Sequence, residues 1–136
     1  MSVDVVFTDD DRGVHIVYSG VIDGPALIDI ISRVFADPKF PGLAYWLGDF
    51  AAVTEMNVTA SHVRQIVDNS EPYAHLNPNL HLALVSPKVD FYGIMRMYEM
   101  QTKIDEDGGF GQTRVFETMD EAKAWLLEFN PDYIFC

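Results

Sequence analysis

At 136 residues the chain suits one domain better than two, and its 49% hydrophobic and 22% charged residues match an ordinary packed protein, neither disordered nor fibrous. Nine Lys and Arg stand against 21 Asp and Glu, and the formal charge of −12 repels both the phosphates of nucleic acid and an anionic membrane surface. The lone cysteine, Cys136, allows no internal disulfide, no stretch approaches the roughly 18 apolar residues of a membrane span, and the acidic opening MSVDVVFTDDD is unlike a secretion signal.

The chain therefore reads as a cytoplasmic protein with a single domain over 1–136. Val3 to Phe7 and Val14 to Ile22 are rich in β-branched residues and flank a polar, Gly-ended loop, which predicts a β-hairpin. Asp23 is placed to cap a helix with Pro25 in its first turn and Leu27, Ile30, Ile31 and Val34 at helical spacing, before Asp37 to Gly42 breaks it. The run LAYWLGDF, Leu43 to Phe50, predicts a buried strand, and Asn57 or Thr59 caps a second helix with Val63, Ile66 and Val67 on its inner stripe, ending at Pro72. Leu80 to Val85 is the next strand, and Asp90 caps a third helix, FYGIMRMYEMQTKI. An acidic, Gly-rich loop, Asp105 to Gly111, leads to a last strand near Thr113 to Phe116. Met119 to Phe129 closes the order as a helix with Ala122, Trp125, Leu126 and Phe129 on one side.

Strands that alternate with helices imply parallel pairing through right-handed crossovers, so the expectation is an α/β fold: a mixed sheet of about five strands, an antiparallel N-terminal hairpin and about four helices. The stretches Gly20-Val21-Ile22-Asp23, Ala36-Asp37-Pro38-Lys39-Phe40, Trp46-Leu47-Gly48-Asp49-Phe50 and Arg114 to Leu126 give the chain a pattern that resembles the small stand-alone bacterial SpoIIAA-like proteins, which belong with the STAS domains. The resemblance spans nearly the whole chain and implies a SpoIIAA/STAS-like fold. That group holds anti-sigma-factor antagonists, regulatory domains of anion transporters and stand-alone members with no assigned role.

In the antagonists a Ser or Thr at the start of the helix after the central strand is phosphorylated, within a pattern close to Asp-Ser-Ser-Gly. Asn57-Val58-Thr59-Ala60 is the corresponding stretch, which makes Thr59 the candidate phospho-acceptor, with Ser61 beside it; Asn, Val and Ala depart from the pattern at its other three positions. A phosphate there would meet unpaired amides and the positive end of the helix dipole. The plain structural role of Thr59 or Asn57 is an N-cap.

Other chemistry finds little footing. His15, His62, His75 and His81 are never three or four residues apart and have no cysteine nearby, so no metal site is expected. Counted from Asp105, the twelfth position of a calcium loop is Phe116 instead of Glu. No nucleophile elbow, P-loop or dinucleotide fingerprint occurs, so the reading is non-enzymatic and without cofactor.

The third helix carries the more informative pattern. Phe91, Ile94, Met95 and Tyr98 form one core stripe, whereas Gly93, Met97, Met100 and Ile104 form a second apolar sector, displaced by more than about 100°. Tyr92, Arg96, Glu99 and Lys103 remain for the wet side. Three covers fit the second sector: the tail Asp132 to Cys136 or a neighbouring helix, another protein chain, or a small apolar ligand. The leading expectation is a protein-interaction domain, regulatory in the manner of an anti-sigma antagonist, paired with a second copy or a regulatory partner. The alternative is a binder or carrier of a small apolar molecule such as a lipid.

Overall fold

The computed structural model describes residues 1–104 and 112–135; the acidic loop Asp105 to Gly111 and Cys136 lie outside them. Strands β1 (Ser2–Phe7) and β2 (Gly13–Asp23) form the expected antiparallel hairpin, paired from Ser2↔Ser19 to Phe7↔Val14. Its turn is closed by the Thr8 amide donating to the Gly13 carbonyl at 2.9 Å and by the Thr8 hydroxyl donating to Asp10 at 2.6 Å. Strands β3 (Tyr45–Asn57), β4 (His81–Val85) and β5 (Gln112–Phe116) extend the sheet in the order β1-β2-β3-β4-β5, all parallel beyond the hairpin.

Each connection from β2 onward steps one strand in the same direction, and right-handed crossovers then place every connecting helix on one face. That face carries α1 (Gly24–Ala36), α2 (Ala60–Ala74) and α3 (Val89–Ile104), packed on Val14, Ile16, Tyr18, Trp46, Phe50 and Leu82. Helix α4 (Met119–Phe129) follows the last strand and has no crossover to make. Its Ala122, Trp125 and Leu126 cover the opposite face over Tyr45, Leu47, Ala83 and Val85. Successive residues Tyr45, Trp46 and Leu47 thus point to alternate sides and are buried on both, which is why LAYWLGDF shows no polar alternation.

Three local expectations are corrected. β3 runs on to Asn57, beyond Phe50, because β2 is long enough to pair with it as far as Asp23↔Asn57. The register slips twice along this pair, between Val17 and Ser19 and between Gly20 and Val21, and Gly20 takes a positive φ of 78° there, which a Cβ would strain. Helix α2 does not end at Pro72. It continues to Ala74 and so brings Tyr73 onto the Phe35 ring, 5.4 Å between centroids, in an aromatic cluster with Phe40. Finally, α3 begins at Val89, so Asp90 lies inside its first turn, while Asp23 and Thr118 cap α1 and α4 by accepting from the amides of Ala26 and Glu121.

Candidate functional site

The start of α2 is built as a reciprocal cap. Thr59 Oγ1 accepts from the His62 amide at 3.3 Å, and the Thr59 amide donates to His62 Nδ1 at 3.0 Å. Thr59, chosen over Asn57, is therefore the N-cap, with His62 in the place a Glu or Gln usually takes. The imidazole lies flat against Gly24 at the start of α1, where any Cβ would collide with its ring. Thr59 Oγ1 also lies 3.1 Å from His62 Nδ1, but the lone pair of that nitrogen is already engaged by the Thr59 amide. The pair is arranged to hold a helix end, not to activate a nucleophile. Thr59 and Ser61 are both exposed. Ser61 takes no part in the cap.

Helix α3 presents its first stripe inward, with Phe91, Met95 and Tyr98 buried and Ile94 half-buried. The second sector divides. Met97 is half-buried and packs on the helix-side core, whereas Gly93 is exposed, with nothing within 4 Å of the position a Cβ would take, and Met100 is 56% exposed. The Ile104 side chain lies outside the described residues. Glu99, expected in water, is instead 4% exposed and paired with Arg96 at 3.5 Å. Neighbouring α2 reaches α3 through Arg64, whose guanidinium donates to Gln101 at 2.9 Å.

The chain tail does not cover α3. Tyr133 and Phe135 pack on the α4 side of the sheet, against Tyr45, at ring distances of 5.1 and 5.4 Å. The Tyr45 hydroxyl donates to the Ile134 carbonyl, so its oxygen accepts from His15 Nε2 at 3.1 Å and His15 is the Nε2–H tautomer. Burial lowers the His15 imidazole from 6.5 to about 4; the charge of Lys123 adds to this and that of Asp49 opposes it.

One feature had no signal in the sequence. Between the sheet and α1 to α3 lies a cavity of about 70 Å³, into which Tyr18 of β2 and Tyr98 of α3 both reach. The helical spacing of Tyr98 marks it as a core residue. That Tyr18 meets it across the fold follows only from the packing. Among the described residues no group of three His, Cys, Asp or Glu is gathered as a metal site, and no helix is long and apolar enough to cross a membrane.

No protein-family model and no curated protein matches the chain. Among solved structures it is similar to the anti-sigma factor antagonist SpoIIAA in its unphosphorylated form, with a TM-score of 0.52 and 12% identity over 93% of this chain and 98% of that one. It is also similar to an uncharacterized protein with a SpoIIAA-like fold from Shewanella loihica, with a TM-score of 0.47 and 13% identity over 92% of each chain. At 12% identity the first likeness speaks for architecture alone. With its antiparallel hairpin, parallel β2 to β5 and four helices, the chain has a SpoIIAA/STAS-like α/β fold.

Proposed function

We propose that this chain is a non-enzymatic, regulatory protein-interaction domain whose docking face is the outer surface of α3. The observation that carries the reading is the pairing of Gly93, open to solvent, with the exposed Met100 on the same side of one helix. An apolar side chain of that size left in water forgoes roughly 1.5 to 3 kcal/mol of burial. Methionine adapts to varied partners, and a glycine lets a second backbone approach closely. Met97 forms the inner edge of the surface, and Ile104 would extend it by one turn. The charge of −12 favours a partner with a basic rim over a second copy of the same chain, since two copies repel. Thr59 and Ser61 are the residues we assign to regulation by phosphorylation, both being exposed at a helix start.

A photo-crosslinking residue placed at position 100 in cells tests this. The expected result is a discrete heavier adduct that is lost with Gly93→Leu and does not form from position 127, on exposed Leu127 of α4. Equal labelling from positions 100 and 127, or none from either, overturns the docking face. Sedimentation of the purified chain checks self-pairing: a dimer that Met100→Asp dissociates would replace the basic partner by a second copy. Mass spectrometry of the protein from its own cells tests Thr59 and Ser61 separately, and phosphate on neither removes the regulatory part.

A further inference from the structure

The cavity between the sheet and α1 to α3 is walled by Leu27, Phe50, Ile66, Leu82 and Met95, with the indole of Trp46 and the phenols of Tyr18 and Tyr98 supplying its hydrogen-bonding groups. Among the described residues no carboxylate, ammonium, guanidinium or imidazole lines it. Tyr18 is 1% exposed and Tyr98 9%, and neither phenol oxygen forms a hydrogen bond among the described residues; neither is among the fully buried polar atoms that lack a partner, His81 Nδ1 and Thr113 Oγ1, so each oxygen borders space that a small molecule can reach. Burial pushes both phenols well above their ordinary range, and the nearby Tyr98 adds to the effect on Tyr18, so both remain protonated donors at any working pH.

A buried hydroxyl without a partner weakens a fold, and native proteins almost always satisfy such groups. Two phenols line one apolar space without a hydrogen bond to either oxygen among the described residues, which leaves room for an acceptor supplied from outside the protein. A single water bridging the phenols would sit at the low end of the two to four polar partners that buried waters take, with the Trp46 indole the one further polar side-chain group among the described lining, so a water is the competing occupant that a binding experiment must separate from a ligand. The volume is about half that of an engineered apolar cavity, roughly 150 Å³, that accepts benzene. Met56 and Met95 line it and are flexible enough to yield space. Met56, Leu84 and Ile94 are only half-buried, which marks the side from which a molecule would enter.

We propose that this cavity is a binding site for a compact, neutral, mainly apolar molecule carrying one hydrogen-bond acceptor, such as a small cyclic ketone, held by the hydroxyls of Tyr18 and Tyr98. A carboxylate is excluded by the cost of burying a charge where no cation meets it. The site is separate from the outer surface of α3, so it stands or falls independently of the docking reading.

Cyclopentanone and methylcyclopentane, matched in heavy atoms and differing in the acceptor, test the proposal by titration against protein with labelled methionine methyls. Cyclopentanone should shift the Met56 and Met95 methyls saturably and leave Met119, on the other face, unmoved. In the Tyr18→Phe/Tyr98→Phe variant its affinity should fall about tenfold, the worth of one hydrogen bond. Methylcyclopentane should bind the variant no more weakly than the wild type. The Met119 methyl and far-ultraviolet circular dichroism report that the variant is folded. No saturable shift with cyclopentanone would mean a cavity that holds water only, and an equal cyclopentanone affinity in both proteins would mean an unspecific void. Either result overturns the proposal.

Discussion

The Tyr45 hydroxyl donates to the carbonyl of Ile134, 89 residues further along the chain, and in doing so fixes which nitrogen of His15 carries the proton. One phenol on the second strand of the parallel sheet thereby fastens the end of the chain to the sheet, with Phe135 lying against both the His15 and the Tyr45 rings. Tyr45→Phe should leave the Ile134 carbonyl and the His15 N–H without their partner. A loss of about 1 to 3 kcal/mol is expected in urea unfolding, with faster amide exchange after Asn130. Unchanged exchange in the tail would show that ring packing alone holds it.

The same clasp gives a pH dependence of definite sign. His15 titrates near 6.5 in the unfolded chain and at about 4 in the fold, so between these values the unfolded state binds more protons. Its contribution to stability is complete above about pH 6.5 and is lost as pH falls towards 4. Burial lowers His81 as well and acts in the same direction. Urea midpoints measured from pH 7 down to 4.5 should therefore decline, and His15→Gln, which keeps a donor towards Tyr45, should flatten the decline without abolishing it. An identical slope in the variant would remove His15 from this account.

Tyr18→Phe and Tyr98→Phe should each leave the unliganded protein as stable or stabilise it by up to about 1 kcal/mol, because each removes a hydroxyl that forms no hydrogen bond among the described residues from a mainly apolar space. Chemical denaturation of the single variants measures this. A loss of stability would reveal a bonding partner for the phenol.

Thr59→Ala should cost about 1 kcal/mol by deleting the cap of α2, whereas Ser61→Ala, one residue inside the helix and outside the cap, should change stability by less than about 0.5 kcal/mol. Thermal or urea unfolding of the two variants separates them. Comparable losses would contradict the assignment of the cap.

Gly93→Ala should stabilise the chain by about 0.5 to 1 kcal/mol, since the added methyl meets nothing within 4 Å and alanine is the better helix former. The same methyl would stand between α3 and any closely approaching backbone, so a more stable protein with a weaker crosslink from position 100 is the combined outcome for a docking face. Destabilisation by Gly93→Ala would mean that the space beside Gly93 is filled.

Local chemistry made much of this protein legible in its sequence. Asp23 caps its helix because a short oxygen-bearing side chain before an apolar periodic run has few other uses, and α4 has the bounds its spacing implied. The α/β order also followed from pattern, because a strand that must reach its parallel neighbour needs a helix to return. Even the inner stripe of α3 was a matter of 3.6-residue arithmetic.

Distance in the chain set the limit. The length of β3 depended on how far β2 ran beside it, and the passage of α2 through Pro72 depended on Phe35 receiving Tyr73. No periodicity could have placed Tyr133 and Phe135 on the α4 face in preference to α3, nor buried Glu99 beside Arg96. The meeting of Tyr18 with Tyr98, and of Tyr45 with Ile134, joins residues some 80 and 89 positions apart, and such contacts are selected by the closing of the whole core instead of by any neighbour in sequence. Sequence alone determined which segments become strands and helices and which of their sides are apolar; tertiary structure decided what each apolar side meets, because packing is a property of surfaces brought together from remote parts of the chain.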